Sequence, residues 1–186
     1  MADGNVVTLG LLNCLHERGT DADHEMISLV VLSSSYVELT LDTLRHRLDQ
    51  AFPGYFLPPR ERGTFVIDGN EPGVEFLIQS DIPDARGMFL LHNVPGPYTA
   101  FSDFAAHIAD ASLREQAEAQ ACWLSVYLMH RQASPEEAYR FIGAALAQLA
   151  PPDAAALVHP SRLITIAFND DVRRQLASGG HVFGAA

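Results

Sequence analysis

The sequence predicts an α+β fold, with a mixed or mainly antiparallel sheet and helices packed on it. Three observations carry that expectation. Short apolar runs and helical stretches are mixed without strict β-α-β alternation. An Asp68-Gly69 turn signal stands between two apolar runs, the mark of a β-hairpin. The run from Gln120 to Ala167 reads as one strand–helix–strand–strand unit with sharp ends.

The elements follow in order. Val6–Leu12 is a short apolar run and reads as a first strand, with His16–Glu25 a polar loop after it. Met26–Leu32 is continuous and β-branched, which suggests a strand covered on both faces. Ser33–Ser35 ends it. Thr40 is placed to cap a helix on which Leu41, Leu44, Leu48 and Phe52 share a face. Pro53-Gly54 stops that helix, and residues 53–63 form a loop. Thr64–Ile67 and Val74–Ile78 are the arms of the hairpin, and Gly87–Val94 is a third strand. Pro95-Gly96-Pro97 closes it, since proline cannot donate to a ladder.

Thr99–Gln120 reads as helix in one piece or two. The capping-box pattern Ser112-x-x-Glu115 predicts a break near Ala111. Ala121–Met129 is apolar on both faces, as a central strand is. Ser134-Pro135-Glu136-Glu137 combines an N-cap, a first-turn proline and a capping-box glutamate. The helix behind it runs to Leu149 and stops at Pro151-Pro152. Ala154–His159 and Arg162–Ala167 are the last strands. Asn169 caps a final helix, and residues 178–186 read as a mobile tail. No repeat or low-complexity linker divides the 186 residues, so one domain is expected over 1–186.

Composition narrows the function classes. Apolar residues make up 48% and charged residues 19%, a globular balance. No apolar run reaches the roughly 18 residues that span a membrane. The start carries no basic region ahead of an apolar stretch, so no secretory signal is expected. Two cysteines, Cys14 and Cys122, make no disulfide framework, and a reducing cytoplasm is the expected setting. The net charge of −11 argues against nucleic acid and against an anionic membrane, both of which need cationic surfaces. All twelve basic residues are arginine, which we read as coding bias.

Local catalytic motifs are absent. There is no dinucleotide fingerprint, Walker loop, His-Glu-x-x-His or Gly-x-Ser-x-Gly. Histidines are the residues to test. His92, His130 and His159 end predicted strands and would converge if those ends met at one edge. The residues singled out for a dispersed catalytic site are His92, His159 and Arg162, acting on an acidic or phosphorylated substrate. No ligand spacing supports a metal at the histidines, and the acidic loop His16–Glu25 lacks the glycine of an EF-hand. No cofactor or metal is expected. Cys122 is read as a core thiol, and Ser33-Ser34-Ser35 as a strand-ending loop that could also bind an oxyanion.

Four segments carry a resemblance: Ala121–Val126, Ala138–Leu149, Ala155–Pro160 and Asp170–Leu176. In this order they resemble an uncharacterised bacterial family with an Ala-Trp-Leu-Ser-Val-type strand and a capped helix after it. The resemblance covers the C-terminal third, rests on core positions and implies no catalytic residues. At fold level the order of elements also looks like the small acidic chaperones of bacterial secretion systems. The expected function is a cytoplasmic, non-enzymatic domain that binds a protein partner or associates with itself, as a homodimer for instance. The alternatives are the small His-dependent enzyme and a secretion-chaperone-like or immunity protein.

Overall fold

The computed structural model describes residues 27–57, 65–68, 76–131 and 134–183. The expected strand Val6–Leu12 and loop His16–Glu25 lie outside them. The described strands are β1 (Ser28–Ser33), β2 (Phe65–Asp68), β3 (Phe76–Ser80), β4 (Gly87–Pro95), β5 (Cys122–Arg131), β6 (Ala154–His159) and β7 (Ile164–Ala167). The helices are α1 (Leu41–Ala51), α2 (Phe101–Ala105), α3 (Ala111–Glu118), α4 (Pro135–Leu149) and α5 (Asp170–Ala177).

The strands form one sheet in the order β2-β3-β4-β5-β1-β6-β7. Every neighbouring pair is antiparallel, so the fold is α+β with a wholly antiparallel described sheet. Strands β2 and β3, β3 and β4, and β6 and β7 pair as successive strands of the chain, and the residues between β2 and β3, where the Asp68-Gly69 turn is expected, lie outside the described residues from Gly69 on. β5 is the middle strand, as its two apolar faces predict.

Alternation sorts the side chains into two cores. On the first face Leu29, Val31, Ile78, Phe89, Leu91, Leu124, Val126 and Leu157 pack under α1 and α4. Phe141 stacks on Phe89 at 4.2 Å and on Phe52 at 4.7 Å between ring centroids, tying α4 to the sheet and to the end of α1. On the second face Val30, Leu32, Trp123, Ala156 and Val158 pack under Tyr98 and helices α2 and α3. These helices cover only the β1–β6 side.

The helix ends follow local chemistry. Thr40 caps α1 by accepting from the Thr43 N–H at 3.2 Å. Ser134 and Glu137 form the expected capping box on α4. The break in 99–120 falls at residues 106–110, and its cap is Asp110 rather than Ser112. The Asp110 carboxylate accepts from the Ser112 and Leu113 N–H groups at 2.8 and 3.1 Å, so the earlier acid takes the role. The strand expected from Arg162 starts at Ile164, because Pro160–Arg162 form a 3₁₀ turn and Leu163 is left-handed at φ 53°. The tail expected to be mobile from residue 178 packs on the first core as far as Phe183, through Val182 and Phe183.

Candidate functional site

Two surfaces bring functional side chains together, one on each face of the sheet. The register decides which residues belong to which. His92 pairs with Ser125, Ser125 with Val30, and Val30 with Val158. Val30 and Val158 belong to the second core, so His92 faces that side. His159 is the next residue after Val158 and faces the other side. Strand ends that seemed able to meet are therefore separated by the sheet itself. His92 and His159 stand on opposite faces and three strands apart, roughly 14 Å at the usual strand spacing. For His130 only the backbone is described, paired with Met88 in β5.

His159 and Arg162, by contrast, do come together. They line a cleft of about 250 Å³ with Leu29, Glu136, Tyr139, His181 and Phe183. His159 is buried at its base. Its ring lies 4.8 Å from that of Tyr139 and meets the edge of Phe183 at 5.1 Å. Glu136 and Tyr139 reach the cleft because i and i+3 share a face on α4. His181 closes the rim, with its Nε2 3.4 Å from Glu136 Oε1. The His181 ring, and then the Arg140 guanidinium, hold the Glu136 carboxyl below its usual range. Tyr139, Glu136, His181 and Phe183 were not singled out from sequence. The α4 pair shows in the helical spacing; the other two sit in a stretch whose glycines read as loose.

The second surface lies on the other face over β2 to β5, where Ile67 is exposed, Leu77 and Tyr127 are half-buried, and Leu90 and Ser28 are buried. Ile67 pairs with Leu77, Leu77 with Leu90, Leu90 with Tyr127, and Tyr127 with Ser28. These five form one row across β2, β3, β4, β5 and β1. Ile67 is 47% exposed, and Met129, the extra residue where the β4–β5 register shifts, is 50% exposed. His92 borders the row, its ring 5.5 Å from Tyr127 and 5.8 Å from Trp123. No residue of the row carries a charge. An uncharged apolar row of this kind has the chemistry of a docking surface.

A third cluster is structural. The Ser33 and Ser34 hydroxyls donate to the Asp153 carboxylate at 3.1 and 2.5 Å. Burial pushes the Asp153 carboxyl up, but hydrogen bonds from Ser34, Ser35 and Ser33 outweigh it and hold the group below its ordinary value. An oxyanion at these serines would meet that negative charge, so the serines fix the end of β1 instead. The Cys122 thiol donates to the Ser35 carbonyl at 2.9 Å. Burial pushes its pKa up, which keeps it a protonated core thiol.

Among the described residues no three His, Cys, Asp or Glu side chains converge to hold a metal ion. Among them, too, no helix is long and apolar enough to cross a membrane. The chain matches no protein-family model, no curated protein and no solved structure.

Proposed function

We propose that this chain is a non-enzymatic, cytoplasmic binding domain that docks an apolar segment of another protein across the open half of its sheet. The observation that carries this reading is the uncharged row Ile67–Leu77–Leu90–Tyr127, on which Ile67 is exposed and Leu77 and Tyr127 are half-buried over a buried Leu90, with exposed Met129 further along β5. The opposite face of the same strands is sealed under α1 and α4. Apolar surface left open on an otherwise well-packed sheet favours association, because burying it releases roughly 25 cal/mol per Å². The lack of charge in the row selects an uncharged, apolar segment over a charged one. A secretion-chaperone-like or immunity role would use the same face.

The test is selection from a displayed library of random 12-residue peptides. Peptides rich in apolar residues are expected, with binding weakened at least tenfold by Ile67→Asp with Met129→Asp. Peptides that bind the double variant as well as the parent would sink the reading.

A second reading is favoured by the cleft at His159. Arg162 and the imidazoles of His159 and His181 stand with one carboxylate, Glu136, around the cleft. The Arg162 guanidinium and ring N–H donors suit a small anionic ligand or substrate, with Tyr139 and Phe183 as walls. Calorimetry with a panel of small carboxylates and phosphates tests it. Binding abolished by Arg162→Ala supports this reading, and no heat from any of them removes it.

A further inference from the structure

The described sheet has two edge strands, β2 and β7, and they are finished differently. On β2 the Arg45 guanidinium of α1 donates to the Val66 carbonyl at 3.3 Å. β7, Ile164-Thr165-Ile166-Ala167, carries no charge, proline or bulge, the usual guards against pairing with another chain. No strand among the described residues pairs with its outer side. Leu163 is 41% and Ile164 37% exposed, and Ala167 is exposed as well. The Phe168 N–H donates to the Ala155 carbonyl at 2.9 Å, so Ile164, Ile166 and Phe168 direct their backbone groups to β6. Thr165 and Ala167 therefore turn their N–H and C=O groups outward.

Those outward groups are complementary to a second copy of themselves. In a two-fold antiparallel pairing centred on Ile166, Thr165 of each copy lies opposite Ala167 of the other, and the two pairs exchange four hydrogen bonds. The two Ile166 side chains meet at the centre as a non-hydrogen-bonded pair, where side chains approach most closely. The charges beyond the strand match in the same register. Arg162 precedes β7 and Asp170 follows it, and both are exposed. Each stands four residues from Ile166, so Arg162 of one copy comes beside Asp170 of the other, once at each end. In a chain of net charge −11, most contacts between two copies oppose acid to acid. This edge opposes a cation to an acid, which singles out a second copy as its partner.

We propose that β7 is a self-association edge, on which two copies of this chain join β7 to β7 in one continuous antiparallel sheet. The proposal is independent of the docking row, which lies toward the β2 end of the sheet and uses other residues. The contact is short. Four backbone bonds and two ion pairs bury less than the roughly 1,600 Å² of a stable complex, so the dimer dissociates in the micromolar range.

The experiment is sedimentation velocity of the full chain from about 5 to about 500 μM, a range that brackets micromolar dissociation. A monomer–dimer equilibrium is expected, and a monomer throughout overturns the proposal. Ala167→Pro removes an outward N–H at an edge position, where proline is tolerated. It should weaken dimerisation at least tenfold with an unchanged circular dichroism spectrum. Arg162→Asp and Asp170→Arg, each alone, put like charges face to face and should weaken it about fivefold or more. Mixed one to one, these two variants restore opposite charges at both ends, and a heterodimer within about threefold of the parent affinity is expected. Dimerisation unchanged in a folded Ala167→Pro overturns the proposal, and so does a mixture that associates no better than its components. If Ala167→Pro loses the parent spectrum, the mixture alone decides.

Discussion

The two faces of the sheet are built from the same strands and end differently. On the first face the apolar rows are closed by α1 and α4, and Phe52, Phe141 and Phe89 form one continuous stack through the layer. On the second face α2 and α3 close only the part over β1 and β6, and the rows on β2 to β5 run on past them. The difference teaches where to look for function. A sealed face explains stability, and substitutions there report on folding. Exposed apolar side chains such as Ile67 and Met129 are kept although water disfavours them, so substitutions at these two should report on binding and leave folding nearly untouched.

The sharpest test of that division is Phe141→Ala. Its ring is 1% exposed and stacked on both sides. Truncation should lower stability by about 3–5 kcal/mol, as for other buried aromatics. Urea denaturation checks this, and a loss under about 1 kcal/mol would mean the first face is not the main core.

Arg173→Ala should come next. The Arg173 guanidinium donates to the carbonyls of Ala147, Ala150 and Pro151 at 2.8, 3.0 and 2.8 Å and lies 4.8 Å over the Phe168 ring. These carbonyls close the end of α4, where the helix has no donors of its own. Losing the guanidinium should lower stability by about 2 kcal/mol. A Lys substitution, with a single point charge in place of the fork, should recover less than half of that in the same urea titration.

Acid should weaken the turn that follows α1. Burial pushes the Asp49 carboxyl up, but the N–H groups of Phe56, Leu57, Gly54 and Tyr55 outweigh it and hold the pKa below the ordinary 3.8. A carboxyl lowered by folding contributes stability above its unfolded pKa. That contribution is lost as pH falls through the lower folded value. The parent should therefore lose stability as pH falls from about 5 through the lowered folded value, and Asp49→Asn should show a shallower loss over that range. Parallel pH profiles for the two proteins would contradict the assignment.

The smallest effect on folding is expected on the open face. Ile67→Asp with Met129→Asp should change stability by under about 1 kcal/mol, since both side chains are about half exposed. Its effect on peptide binding should be the large one.

Much of this architecture could be read from local pattern. The Ser134 capping box, the Thr40 cap and the two-faced apolar strand at β5 are encoded within a few residues, and all three appear as read. The surfaces were harder. His92 and His159 look alike in sequence, each at the end of an apolar run. Their separation depends on the order β4-β5-β1-β6 and on a register that only long-range pairing sets. The cleft joins Leu29, Tyr139, His159 and Phe183, residues far apart in the chain, and one wall comes from a stretch whose glycines predict looseness. Asp110 was missed as a cap because the Ser112 pattern two residues later is the more familiar one.

The most direct measurement is amide chemical-shift mapping of the full chain during titration with the tightest selected 12-residue peptide. The predicted result is a continuous patch of shifts over Ile67, Leu77, Leu90, Tyr127 and Met129, with Tyr139, His159 and Phe183 unmoved. Shifts gathered around His159, Arg162 and Phe183, with the open row silent, would contradict it and make the cleft the binding site.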